Sequence, residues 1–213
     1  MKMKKTFYLI LLIITLVTSC AFEEEYSFKA DWSGSYEASL DMSGLAEMVG
    51  GEKENEEIIP QDEIANLESK MNAVDGISNA KVTSDNLAYA IKFNYDFEDL
   101  SALNRLNNAD LDEGDDDSPF GALGKWEMRN KGKKEFFITM IPQEGIQDEE
   151  GMDDAKQAGE MLQVTTTLTF PRKVKDVESN IATRGVNGNQ VIIKYSGKDI
   201  MDASKNWDTE IKL

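Results

Sequence analysis

Histidine is absent from this sequence of 213 residues, and cysteine occurs once, as Cys20. Such a chain has no Ser-His-Asp or Cys-His nucleophile system, and no zinc, iron or copper site built from histidines or several cysteines. It forms no disulfide within itself, so the packing of the core must stabilise the fold. We therefore predict that the protein is not an enzyme and has no catalytic residue, metal site or cofactor.

Positive charge is also scarce, because 23 lysines and arginines stand against 40 acidic residues, for a formal net charge of −17. A domain this acidic repels phosphate backbones, so nucleic acid is not an expected partner. It is also repelled by an anionic membrane surface, over a screening length of about 8 Å at physiological salt. Cationic proteins or peptides are the partners that this charge favours.

No apolar run is long enough to cross a bilayer. The longest, from Phe7 to Val17, has about half of the ~20 residues that a transmembrane helix needs. It follows a lysine-rich start and precedes small polar residues, which is the pattern of a secretory signal peptide. The sequence therefore predicts a leader over residues 1–19.

The leader ends in Val17, Thr18, Ser19 and Cys20, which resemble the lipobox of bacterial lipoproteins. Val17 matches the hydrophobic position, Thr18 and Ser19 the small residues, and Cys20 the lipid acceptor. The resemblance implies cleavage before Cys20 and attachment of fatty acids such as palmitate to it. Two or more acyl chains, at ~0.8 kcal/mol per buried CH₂, make a lasting anchor. We expect a lipid-anchored protein of the bacterial outer membrane, on its periplasmic face or at the cell surface.

Glu23, Glu24 and Glu25 follow the lipidation site directly. An acid-rich stretch at this place resembles the signal that sends some lipoproteins to the outer face of the outer membrane. It is equally well interpreted as a solvated spacer. We predict a lipidated acidic tether over residues 20–25, followed by a single domain over residues 26–213.

Hydrophobic periodicity predicts an α+β fold, with two or three helices on one face of an antiparallel sheet. The clearest helix spans Pro60 to Val74, with Gly76 as its C-terminal glycine, and a second helix begins after Asp96. A short helical piece is predicted around Leu45 to Val49. Alternation and turn residues predict strands at 26–42 (a hairpin), 77–83, 87–95, 125–129, 135–141, 162–170, 174–181, 189–195 and 208–213.

Acidic segments occupy residues 50–59, 107–118 and 143–154. Carboxylates are the ligands that Ca²⁺ prefers, but an EF-hand loop needs glycine at its sixth position. Counted from Asp110, Gly114 falls one position early. We predict solvated loops, with no more than weak, adventitious Ca²⁺ binding.

Two short matches to penicillin-binding enzymes occur, S-x-x-K at Ser78 to Lys81 and S-D-N at Ser84 to Asn86. In those enzymes the first motif opens a helix and the second lies far away in sequence. Here both fall within one predicted strand and its turn. We interpret them as structural, and we expect the three tryptophans to pack in or beside the core.

The first hairpin and the last third of the chain resemble small bacterial cell-envelope lipoproteins. Asp31 to Gly34 followed by Asp41 to Ser43 resembles a D-G-S-G…D-M-S pattern, with Trp32 in place of the usual glycine. Leu168 to Val174 followed by Gly188 to Val191 is similar to the F-P-x-x-V…G-N-x-V segment of LppM-like lipoprotein domains. The resemblance implies a binder of lipids or envelope components, without assigning a functional residue.

Three functions remain open at this point. The first is a non-catalytic binding or interaction module, held by its lipid anchor to the cell envelope. The second is a carboxylate-dependent hydrolase of envelope glycans, for which two facing acids in a cleft would be the sign. The third is a structural or assembly factor, which an exposed apolar patch or an unpaired sheet edge would favour.

Overall fold

The computed structural model describes residues 20–43, 60–86, 88–107, 125–141, 162–200 and 207–213. Within these ranges the helices are α1 Gln61–Ala73, α2 Leu100–Asn107 and the short α3 Gly197–Ile200. The strands are β1 Cys20–Phe28, β2 Gly34–Asp41, β3 Ile77–Asp85, β4 Ala90–Phe97, β5 Lys125–Lys131, β6 Glu135–Ile141, β7 Leu162–Thr169, β8 Asp176–Glu178, β9 Ala182–Arg184, β10 Gln190–Ser196 and β11 Thr209–Lys212.

These strands form two sheets. The larger has seven strands in the order β3-β4-β2-β1-β7-β10-β9, and the smaller has four in the order β5-β6-β11-β8. Neighbouring strands are antiparallel except for β1 and β7, which run side by side in the same direction. The predicted α+β domain with an antiparallel sheet is therefore confirmed, and the parallel pair and the second sheet are additions to it.

The core lies between the two sheets. Phe28 of β1 packs against Phe136 of β6 with ring centroids 5.1 Å apart, and Trp126 of β5 packs against Tyr195 of β10 at 5.7 Å. Side chains alternate along β1, β2, β4, β7 and β10 of the larger sheet, so one face of the sheet is buried and the other is exposed or partly exposed. We call these the inner face and the outer face.

Helix α1 closes one edge of the larger sheet. The side-chain amide of Asn72 accepts the N–H of Ala80 at 3.0 Å and donates to its C=O at 3.1 Å, as a neighbouring strand would. Glu68 accepts the N–H of Val82 at 2.8 Å. These bonds satisfy main-chain groups on the edge of β3 that faces away from β4. Another strand therefore cannot pair with β3 at these positions.

Helix α2 closes an edge of the smaller sheet in the same way. The amide of Asn104 accepts the N–H of Met128 at 2.9 Å and donates to its C=O at 2.8 Å. One edge strand of each sheet, β3 in the larger and β5 in the smaller, is therefore covered by a helix. The opposite edge strands are β9 and β8.

The predicted helix at Pro60 to Val74 is confirmed as α1, with Pro60 as its N-cap and with Ile64 and Met71 buried. Gly76 follows it at φ +82°, and a Cβ there would lie 2.7 Å from the Cβ of Ala102. Only glycine meets both constraints without strain. None of the helices in the described ranges has the length and apolar character required to cross a membrane.

Two predictions about local structure are wrong. Residues 20–25 are not a solvated spacer, because they form the first part of β1. Asp96 does not begin the second helix, because it lies within β4. That helix begins after Asp99, whose carboxylate accepts the N–H of Ala102 at 2.7 Å.

The hairpin turn near Asp31 is confirmed, and the non-glycine residue that the resemblance noted there has a structural consequence. Trp32 adopts φ +71°, a conformation that glycine adopts at no steric cost. Several predictions fall on residues outside the described ranges, namely the leader, the helical piece near Leu45, and the acidic segments 50–59, 107–118 (apart from Asn107) and 143–154.

Candidate functional site

Glu24 is a carboxyl group on the buried face of β1. Phe22, Glu24, Tyr26 and Phe28 alternate along the strand and all lie in the core, and Glu24 is 7% exposed. Side chains along a strand point alternately to its two faces. The three consecutive glutamates from Glu23 to Glu25 therefore cannot all lie in solvent once β1 forms. Glu23 and Glu25 lie on the outer face, and Glu24 takes the inner position between two aromatic residues.

Three hydroxyl groups hold the Glu24 carboxyl in place. Thr166, its partner across the parallel β1–β7 pair, donates to Oε1 at 2.5 Å. Tyr36 of β2 donates to Oε2 at 3.1 Å, and Tyr26 on β1 itself donates at 3.3 Å. Both carboxyl oxygens are therefore hydrogen-bonded, as a buried polar group requires.

Burial raises the pKa of Glu24 above its ordinary value of 4.5, since a charged carboxylate loses its hydration in the core. The hydrogen bonds from Thr166, Tyr36 and Tyr26 oppose that shift, because each of them stabilises the charged form. The net direction is upward. The environment therefore favours a carboxyl group that keeps its proton at higher pH than an exposed glutamate does.

Four tyrosines surround this carboxyl on the inner face. The rings of Tyr36 and Tyr95 stack at 4.6 Å, and those of Tyr26 and Tyr36 meet at 4.8 Å. Burial is the main reason that the pKa of each of Tyr26, Tyr36, Tyr95 and Tyr195 lies well above 10, and the nearby Glu24 raises all four further. All four hydroxyls therefore keep their protons, and those of Tyr26 and Tyr36 donate hydrogen bonds to the carboxyl.

The smaller sheet packs over the Glu24 carboxyl on the inner face of the larger sheet. A narrow interior gap beside the carboxyl is lined by Glu24, Tyr26, Trp126, Met128, Ile138, Thr166 and Ile193. Most of this lining is apolar or aromatic, and the polar groups are already paired with one another. The arrangement is that of a satisfied polar network in a core, which fixes the packing of neighbouring strands.

This geometry gives no support to the carboxylate-dependent hydrolase. That chemistry requires a second carboxyl group about 5–10 Å away and a cleft that admits a sugar between the two. The hydrogen-bond partners of Glu24 are hydroxyls of Thr166, Tyr36 and Tyr26, and the smaller sheet closes the space above them. We identify Glu24 as a structural acid.

Cys20, the predicted lipidation site, is the first residue of β1 and is half-buried. It pairs with Leu162 of β7 at one end of the larger sheet. The other lipobox residues, Val17, Thr18 and Ser19, lie outside the described ranges. Lipidation therefore stays a prediction, but its place in the fold is defined.

The S-x-x-K and S-D-N matches lie where the structural interpretation put them. Ser78 and Lys81 are exposed residues of β3, on either side of a bulge at which Asn79 has φ +56°. Ser84 and Asp85 end the same strand, and Asp85 accepts the N–H of Ala88 at 3.1 Å.

The described residues contain no group of three or more acidic or cysteine side chains placed to hold a metal ion. The acidic loop considered for Ca²⁺ falls almost entirely outside them. The tryptophans pack as expected: Trp126 and Trp207 are buried, and Trp32 stacks on Phe136 at 5.3 Å.

The sequence analysis missed Glu24, although a signal for it was present. Phe22, Tyr26 and Phe28 extend the hairpin's alternation back to the predicted lipobox, and Glu24 occupies an inward position in that pattern. Interpreting the three glutamates as one solvated run concealed the alternation. The partner Thr166 is 142 residues away in sequence, and only the β1–β7 pairing brings it to the carboxyl.

No protein-family model matches the chain, and no curated protein matches it. Among solved structures, the NMR structure of the folded domain of Mycobacterium tuberculosis LppM aligns with this chain at a TM-score of 0.45 and 10% identity. The alignment covers 91% of this chain and 88% of the LppM domain. The chain is thus similar to the LppM domain in outline. At this score and identity the similarity carries no argument about function.

Proposed function

We propose that the protein is a lipoprotein anchored through Cys20 to a bacterial outer membrane, and that it acts there as a non-catalytic interaction module. The observation that carries the proposal is the lipobox from Val17 to Cys20 behind a short apolar leader. The position of Cys20 agrees with it, since a half-exposed residue at the end of a sheet can carry acyl chains away from the fold.

The anchor has a geometric consequence. Because Cys20 already belongs to β1, no flexible spacer separates the acyl chains from the folded domain. The end of the larger sheet that contains Cys20 would therefore lie close to the bilayer. The strands of this sheet would point away from the membrane, so the opposite end of the sheet would face outward.

The mass of the mature protein tests this directly. Protein extracted from membranes should begin at Cys20 and carry the added mass of a diacylglyceryl group, with or without a further acyl chain. Cys20→Ala should keep its leader and gain no lipid, whereas the neighbouring change Ala21→Ser should be processed like wild type. A wild-type N-terminus elsewhere, or a Cys20 without lipid, would contradict the proposal.

Protease treatment of intact cells then decides the face of the membrane. Cleavage of the domain on whole cells would place it at the cell surface. Protection until the outer membrane is breached would place it in the periplasm. Both results are compatible with the anchor, and they separate a surface ligand from an envelope partner.

A further inference from the structure

At the end of the molecule opposite Cys20, the turn after β1 and the residues after β4 carry the acidic Asp31, Glu98 and Asp99, whereas basic side chains lie together beside the ends of β7 and β9. They come from the β5–β6 turn, the connection from β7 to β8, and the end of β9. We call them the basic end, and it comprises Lys133, Lys134, Arg172, Lys173, Lys175 and Arg184. All six are exposed, in a chain whose net charge is −17.

Hydrogen bonds to main-chain carbonyl groups hold the basic end together. The guanidinium of Arg172 donates to the C=O of Lys133 at 3.2 Å, which joins the β7–β8 connection to the β5–β6 turn. The N–H of Leu213 donates to the C=O of Lys134 at 2.7 Å. Arg184 reaches the C=O of Lys175 at 3.5 Å. Three separate stretches of chain are thus fixed beside one another.

Most cations of the basic end have no carboxylate within ion-pair distance. Glu135 lies 3.4 Å from Lys131, and Asp176, Glu178 and Glu210 share the single ammonium of Lys212. The ammonium of Lys175 donates to an oxygen of Leu213 at 2.9 Å. Within the described residues, Lys133, Lys134, Arg172 and Lys173 form no ion pair. Four cations are therefore left facing solvent.

An exposed apolar side chain lies among these cations. Val186 is 102% exposed, at the tip of the turn from Gly185 to Gly188 between β9 and β10. The C=O of Gly188 accepts the N–H of Val174 at 2.8 Å, so the turn is held against the β7–β8 connection. Of the large apolar residues described, Val186 is the fully exposed one.

We propose that the basic end docks on an anionic phospholipid surface. Lysine and arginine side chains match the negative headgroups in charge, and Val186 supplies an apolar tip that can enter the interface between headgroups and acyl chains. The chain as a whole repels such a surface. Screening limits that repulsion to about 8 Å. The charges that lie within this distance of the phospholipid surface, which are those of the basic end, therefore determine whether the protein is attracted to it.

Strands β1 and β7 separate this surface from the anchor. They run parallel from Cys20 and Leu162 to Ser27 and Thr169, and the connection that carries Arg172 begins just beyond Thr169. Eight or nine strand residues span roughly 30 Å at 3.3 Å each. If Cys20 is the anchor, as proposed above, the domain would hold its own membrane at one end and a second anionic surface at the other.

Vesicle capture by the lipidated full-length protein tests the inference. The protein is reconstituted through its acyl chains into phosphatidylcholine vesicles, and a second population of vesicles, fluorescently labelled, is then added. Capture of labelled vesicles that contain phosphatidylglycerol is expected, whereas vesicles of phosphatidylcholine alone should remain free. Raising the salt concentration should release the captured vesicles, because the attraction is electrostatic.

Charge reversal at two matched places locates the docking surface. The variant Lys133→Glu/Arg172→Glu/Lys173→Glu should reduce capture at least about tenfold, since each cation near the surface contributes to attraction. The control Lys81→Glu/Lys92→Glu/Lys194→Glu makes the same change in net charge at exposed sites in β3, β4 and β10, and it should retain capture. Val186→Ser should weaken capture without changing its dependence on salt.

Several outcomes would overturn the proposal. These are the absence of capture by wild type, equal capture of neutral vesicles, and equal losses in the two charge-reversed variants. Clustering of the protein-bearing vesicles on their own would show that a second copy of the chain occupies the basic end instead. Failure of the protein to enter the first vesicles would count against the lipid anchor, which separates that result from failure of docking.

Discussion

Glutamate has opposite environments on the inner and outer faces of the larger sheet. Glu24 on the inner face is enclosed by hydroxyl donors, and its pKa is raised because burial penalises its charge. Glu25, its neighbour on the outer face, is exposed to solvent opposite Glu37 of β2 and accepts a hydrogen bond from the Thr169 hydroxyl at 3.0 Å. One position along a strand thus changes the role of a carboxyl group from surface charge to a part of the core.

The largest difference between the faces is expected from lysine substitution. Glu24→Lys places an unpaired cation against three hydroxyls in the core and should destabilise the domain by about 3–5 kcal/mol or prevent its folding. Glu25→Lys makes the same change in charge on the outer face and should alter stability by no more than about 0.5 kcal/mol. Urea denaturation of both variants measures the comparison. Similar losses would show that Glu24 is not enclosed as described.

Removal of one hydroxyl donor should have a smaller effect. Thr166→Val keeps the shape of the side chain, leaves Oε1 of Glu24 without its closest donor, and should cost about 1–3 kcal/mol. Thr167→Val, one residue along on the outer face, is the matched control and should be near neutral. The free energy of unfolding at pH 7 decides between them, and equal effects would contradict the assigned network.

The pH dependence of stability should distinguish Glu24 from exposed acids. Its pKa is raised in the folded state, so an unfolded chain releases the proton of Glu24 at lower pH than the folded chain does. The contribution of this group is therefore fully present below pH 4.5 and is lost as pH rises through the raised folded pKa.

Glu24→Gln removes that titration. Relative to wild type, the variant should gain stability as pH rises above 4.5, with the difference levelling off above the folded pKa. Thermal unfolding of both proteins across a pH series measures the difference. A difference that stays constant with pH would mean that Glu24 titrates in the folded protein as it does in the unfolded chain.

The smallest effect is expected at the outer pair. Glu25 and Glu37 stand directly across β1 and β2, where like charges repel. Glu37→Gln should therefore leave stability unchanged or raise it slightly, by about 0.5 kcal/mol or less. The gain should disappear in high salt, since solvent-exposed charges are screened. A clear loss of stability would show that Glu37 makes a contact that the outer face does not reveal.

Much of the architecture followed from local sequence patterns. Alternation in Ile91, Phe93 and Tyr95 predicted a half-buried strand, and the apolar stripe of α1 predicted its helix, because each pattern has the period of the structure that it forms. The boundaries were less accurate. The second helix was assigned to Asp96 because it precedes an apolar repeat, yet Asp99, three residues on, makes the capping bond.

The site depended on contacts that local patterns do not contain. Thr166 and Glu24 meet only because β7 lies parallel to β1. A parallel pair requires a long connection between its strands, and the sequence of neither strand indicates which partner it pairs with. The same holds for Asn72 and Asn104, which are ordinary polar residues on helices until each pairs with the edge of a sheet. Their roles arise from the positions of their partners.

The sequence by itself determined the charge of the chain, the absence of histidine, the single cysteine, the resemblance of residues 17–20 to a lipobox and the α+β character. These properties depend on composition and on periodicities of a few residues, which the order of residues carries directly. The tertiary structure decided that Glu24 is buried, that a helix covers one edge of each sheet, and that six basic residues scattered over about fifty positions lie together at one end. These properties depend on which distant segments pair, and that is decided by the packing of the whole core.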